Sequence, residues 1–98
     1  MNINTFTKTL DRDTPPDTPD KHCLALWYDA KEDWETAHKI VQNLPDSAAA
    51  RIHAYLHRKE GDDWNARYWH RRAGTAFPDS MTLEEEREML VKMVTNPK

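Results

Sequence analysis

The sequence predicts an all-α fold: two antiparallel helical hairpins in a right-handed stack, closed by a C-terminal capping helix. Three observations predict it. Apolar residues recur at three- and four-residue steps through most of residues 20–95, the period of an amphipathic helix. Capping and breaking residues punctuate that pattern where helices would start and stop. Only two glycines stand beside four tryptophans, which points away from β-turn chemistry and toward helices pinned by large aromatic side chains.

The elements follow in order. Residues 1–19 carry Pro15, Pro16 and Pro19 among polar neighbours, with Phe6 and Leu10 as the sizeable anchors. Prolines remove backbone donors and polar residues bury little, so a flexible N-terminal arm is expected, followed by a single domain over 20–98. Over residues 20–32, Leu24, Ala25, Trp27, Tyr28 and Ala30 keep the helical period. Asp33 then offers an N-cap for a helix carrying Ala37, Ile40, Val41 and Leu44, which Pro45 stops. Asp46 or Ser47 caps a third helix with Ala48, Ala49, Ile52, Tyr55 and Leu56, closed at Gly61. Asp62 or Asp63 starts a fourth, with Trp64, Ala66, Trp69 and Ala73, ended by Gly74. Short links between four short helices imply antiparallel neighbours. Finally, Thr82 and Glu85 match a capping box ahead of Leu83, Leu90, Met93 and Val94, with Asn96 and Pro97 ending that helix.

Composition narrows the function. The chain has 98 residues with 38% hydrophobic and 32% charged content, a mean hydropathy of -0.97 and a mass of 11.5 kDa. One domain with a small core and a heavily solvated surface is expected. No apolar run approaches the ~18 residues of a bilayer span, and the first eight residues lack the apolar stretch of a secretory signal. A single Cys23 excludes an intramolecular disulfide, which suits a reducing cytoplasm. Net charge is -3, yet residues 51–72 hold six bases against three acids. The positive charge is local, which argues against a whole-domain nucleic-acid binder.

The two helix pairs resemble each other. Ala25, Ala37 and Leu44 match Ala54, Ala66 and Ala73, with the same internal spacings, and small side chains at helix crossings let backbones approach. Asp33-Trp34 and Asp63-Trp64 are placed at equivalent inter-helix turns, and Leu26 pairs with Leu56. On these residues the chain resembles a tetratricopeptide-like helical repeat, the second unit completed by Pro78 after Ala73. Its first unit departs, since Pro45 directly follows Leu44 and shortens it below the usual ~34-residue period. Residues 66–74 are also similar to the end of a Sel1-like repeat. The resemblance implies an all-helical module that binds peptides or protein segments on a concave face. Such arrays normally need three or more units, so either the last helix caps the stack or a second copy completes it as a homodimer.

Candidate sites come from basic, aromatic and imidazole side chains. Arg67 and Arg71 share a face of the fourth helix beside Tyr68 and Trp69, and Arg51 and Arg58 could line the adjacent wall. Guanidinium forks bind planar anions, so this set would suit an acidic peptide. The competing expectation is that these arginines pair internally with Glu60, Asp62, Asp63 or the acidic last helix. Trp27 and Trp69 are expected in the core, and Trp34 and Trp64 as staples of the turns, with exposed anchors for a partner as their alternative. His53 and His57, four apart, share a helix face as paired zinc ligands do. His70 is expected to approach them and Glu60 to supply a fourth ligand, whereas His22 and His38 show no partner.

Catalysis has little support. Cys23 and His22 are adjacent and point apart on a helix, Ser47 and Ser80 read as caps, and no phosphate loop or dinucleotide fingerprint is present. The expected function is therefore a non-enzymatic, cofactor-free peptide-binding module in the cytoplasm, using Arg51, Arg58, Arg67, Tyr68, Trp69 and Arg71. The alternative is a metal- or ligand-binding helical protein using His53, His57 and His70. A weaker third option is an RNA-contacting accessory protein, since arginine and aromatic groups can stack on bases.

Overall fold

The computed structural model describes residues 2–95. Among them are six helices and no strands: α1 (Ile3–Thr9), α2 (Lys21–Ala30), α3 (Trp34–Gln42), α4 (Ser47–Lys59), α5 (Asp63–Ala73) and α6 (Leu83–Thr95). The fold is all-α, as the periodicity requires. α2 packs on α3 and α4 on α5, α3 meets α4, and α6 lies across α2 and α4 with α1 against it. The helix stop expected at Asn96-Pro97 lies outside the described residues.

Side-chain caps set most helix starts. Asp20, Asp33, Asp46 and Asp62 each accept a backbone N–H of the first turn they precede, which satisfies amides that have no partner within the helix. Thr82 and Glu85 close the capping box reciprocally, at 2.8 and 3.0 Å. Gly74 ends α5 with φ 77° in the left-handed region, where a residue without Cβ is unstrained.

The arm expected over residues 1–19 needs correction, because α1 forms within it. Asn2 caps this helix through its side chain. Ile3, Phe6 and Leu10 follow at helical spacing, and Phe6 is buried in the core with Pro16 also covered. Burial of Phe6 contributes roughly 2–3 kcal/mol, enough to hold a seven-residue helix that would not persist alone.

The core is built from Leu26, Trp27, Val41, Ile52, Tyr55, Leu56 and Leu90, joined by Ala25 and Ala37. Two fully buried carboxylates lie beside it, Asp29 on α2 and Glu86 on α6. The last turn of α4 neutralises both. Lys59 Nζ donates to Asp29 Oδ1 at 2.8 Å and Arg58 Nη1 to Glu86 Oε1 at 2.9 Å. Tyr55 Oη completes the Asp29 site at 2.8 Å; burial, and then the Asp29 charge, push that phenol up.

The internal repeat is real in backbone detail, but its register differs from the expected one. The amide of Asp33 donates to Tyr28 O and that of Asp62 to His57 O, both at 2.8 Å. Asp33 caps Thr36, and Asp62 caps Asn65. Glu32 and Gly61 hold the matching left-handed positions, φ 63° and 87°. Each of these pairs is 29 residues apart, as are Ala25 and Ala54 or Ala37 and Ala66, all four fully buried. Asp33 therefore corresponds to Asp62 and not to Asp63. Trp64 stands one residue beyond the position of Trp34, which turns it by about 100° around the helix. Trp34 is half-buried and donates from Nε1 to Leu56 O at 2.7 Å, whereas Trp64 is 72% exposed and staples nothing.

Candidate functional site

Two groups of side chains emerge, one inside the seam of α3, α4 and α5 and one along the outside of α5. The first begins with sequence spacing: Trp34 and His38 are four apart on α3, and His53 and His57 four apart on α4, so each pair shares a helix face. Packing of α3 on α4 brings the pairs together. Trp34 stacks on His38 with centroids 4.8 Å apart, and His53 on His57 at 4.9 Å. Trp69 of α5 closes the far side, stacked on His53 at 3.9 Å.

The imidazoles converge at their nitrogens. His38 Nε2 and His53 Nε2 are 3.0 Å apart, and one ligand nitrogen from each of His38, His53 and His57 lies within 4.8 Å of the others. Glu60 Oε2 meets His57 Nδ1 at 2.7 Å. Burial, reinforced by His38 and His57, pushes His53 down to about 3. Burial and then His57 also lower His38, against an opposing pull from Glu60. Both rings are accordingly neutral at neutral pH and keep a lone pair.

This trio corrects the expected one. His70 lies elsewhere, with Nδ1 on Thr75 Oγ1 at 2.7 Å and Nε2 3.7 Å from Glu86 Oε2. It follows Trp69 directly, so when Trp69 faces His53 the next side chain points about 100° away. His38 takes the third place. His22 is also engaged, bridging Asp20 and Asp46 at 3.0 and 2.7 Å.

The expected arginine groove is dispersed. Arg58 is spent internally on Glu86 and the Met81 carbonyl. Arg51 turns to α6, its guanidinium against the sulfurs of Met89 and Met93 at 3.4 and 3.7 Å. Trp69 belongs to the histidine seam and not to the apolar core, where Trp27 does lie. Helix periodicity placed each arginine on a face, but the partner on that face came from α6.

A stripe remains along α5. Trp64, Arg67, Tyr68, Arg71 and Arg72 fall at i, i+3, i+4, i+7 and i+8, one face of a helix, and only Tyr68 among them is half-buried. The Trp64 and Tyr68 rings are nearly parallel, 9° apart in plane with centroids at 6.3 Å. Arg72 reaches Tyr68 Oη at 3.3 Å and lies over Trp69 at 5.2 Å. Arg67 lies over Phe77 at 4.1 Å, with exposed Asp79 at 3.7 Å. At the end of the stripe, Trp69 and Arg72 line a cleft of about 430 Å³ with Leu44, Pro45, Asp46 and Ala50. The contact set expected from sequence omits Arg72, and includes Trp64 only through its alternative reading as an exposed anchor for a partner. The signal was available, since both extend the Arg67, Tyr68, Arg71 set at helical spacing.

Comparison with protein-family models, curated proteins and solved structures finds no match to this chain. No helix among the described residues is long and apolar enough to cross a membrane.

Proposed function

We propose that the chain is a non-enzymatic helical-repeat module that binds an acidic protein segment along the outer face of α5. The observation that carries this is Trp64, a large apolar side chain 72% exposed, set within a stripe whose other members are arginines and a tyrosine. Trp, Tyr and Arg are the residue types in which binding energy concentrates at interfaces. Burying the Trp64 indole would supply the apolar contribution, while Arg67, Arg71 and Arg72 pair with carboxylates and set the charge of the partner. The paired helices and their duplicated turns support the tetratricopeptide-like reading, although the 29-residue spacing is shorter than the ~34 of that class.

The test is calorimetric titration with a synthetic peptide rich in Asp and Glu and carrying one leucine, at low ionic strength. Saturable binding that weakens with salt and vanishes in Trp64→Ala and in Arg71→Glu/Arg72→Glu is expected. Binding unchanged in both variants, or no heat with the native chain, would overturn the proposal.

A further inference from the structure

We infer that His38, His53 and His57 form a binding site for a divalent first-row transition ion, Zn²⁺ being the ion whose geometry they fit, with water as the fourth ligand. Two of the three ligands are fixed by one helix, since His53 and His57 are a turn apart on α4, and α3 delivers the third by packing. A tetrahedral ion at ~2.0–2.1 Å from each nitrogen sets those nitrogens about 3.3–3.4 Å apart. The His38 to His53 separation of 3.0 Å is within a few tenths of that value, and the trio's 4.8 Å limit is within reach of small side-chain rotations.

The chemistry of the contact agrees. Two Nε2 atoms at 3.0 Å must share one proton, with one ring donating and the other accepting. An ion can take both Nε2 lone pairs once the donating ring carries its proton on Nδ1 instead, so both rings stay neutral and no net proton need be released. Glu60 holds Nδ1 of His57 at 2.7 Å, leaving Nε2 to face the ion. A carboxylate on the distal nitrogen orients a metal-bound imidazole and raises its basicity. Asp62, also near His57, is committed to capping α5 through Asn65. Trp34 and Trp69 wall the site and fix the ring planes. All-imidazole donors suit zinc, copper or nickel and disfavour magnesium and calcium, which need oxygen.

The experiment is titration of the full chain with Zn²⁺, and with Co²⁺ for its visible spectrum, on protein first stripped with chelator. One ion per chain, tetrahedral Co²⁺ bands and a raised melting temperature are expected, with binding lost in His38→Gln. Because a buried-histidine variant can fail to fold, Glu60→Gln provides a second reading: its carboxylate is exposed, and affinity should fall tenfold to a hundredfold with helicity intact. His22→Gln, away from the trio, should bind as the native chain does. No stoichiometric uptake by the folded native chain would overturn the site. So would binding that survives His38→Gln and Glu60→Gln undiminished or disappears with His22→Gln.

Discussion

Glu32 occupies in the first helix pair the left-handed turn position that Gly61 occupies in the second, at φ 63° against 87°. A side chain there carries a steric penalty that glycine does not. The Glu32 carboxylate recovers little through its 3.4 Å approach to Lys59, being 75% exposed. Glu32→Gly should therefore stabilise the fold by about 0.5–1 kcal/mol. The reverse change, Gly61→Ala, should destabilise it by about 1 kcal/mol, although a Cβ there meets nothing within 4 Å. Urea midpoints at unchanged m-value report both.

Arg58, expected in a binding groove, is a structural residue. Arg58→Ala leaves Glu86 charged and fully buried, and should destabilise by about 3–5 kcal/mol. Replacing both partners with apolar residues, Arg58→Met with Glu86→Leu, should recover most of that. Arg71→Ala on the exposed stripe should stay within about 0.5 kcal/mol. Thermal melts of the three variants distinguish these outcomes; equal effects of Arg58→Ala and Arg71→Ala would contradict the burial of the pair.

The two tryptophans of the duplicated turns should behave oppositely. Trp34→Ala removes a half-buried indole and its bond to the Leu56 carbonyl, and a loss of about 3 kcal/mol is expected. Trp64→Ala should change stability by less than about 0.5 kcal/mol while abolishing peptide binding.

Acid should act through the histidines with two signs. His53, 4% exposed, titrates near 3 when folded and at 6.5 by its ordinary value. The unfolded chain thus binds the extra proton between those values, and stability falls as pH drops through that window, by up to about 1.4 kcal/mol per pH unit. His22 opposes this. Burial lowers it, but the Asp46 and Asp20 carboxylates outweigh burial and raise it. Its contribution is complete below 6.5 and lost as pH rises through the raised folded value. Denaturant-derived stability from pH 4 to 8 should lose part of its acid slope in His53→Gln, the remainder coming from the likewise lowered His38, and its neutral-side decline in His22→Gln.

Much of the fold was legible because caps are local chemistry: Asp33, Asp46, Gly74 and the Thr82/Glu85 pair act within a turn of themselves. α1 was legible too, in Asn2 and the Ile3, Phe6, Leu10 spacing, but the prolines at 15, 16 and 19 dominated the composition of that stretch. The site was less legible. His38 meets His53 only because α3 packs on α4, a tertiary fact that no spacing within one helix contains. Arg58 had a readable clue, since Glu86 sits three residues after Leu83 and four before Leu90, on the apolar face of its helix. An acid there must find a buried cation.

The last turn of α4 has one more consequence. Arg58 reaches toward α6 and Lys59 toward α2, so adjacent residues of one helix clasp elements from opposite ends of the chain. Peeling away either element first exposes a buried carboxylate, which places a high threshold on partial opening. The slowest-exchanging amides of α2, α4 and α6 should accordingly share one exchange free energy, that of unfolding the whole domain.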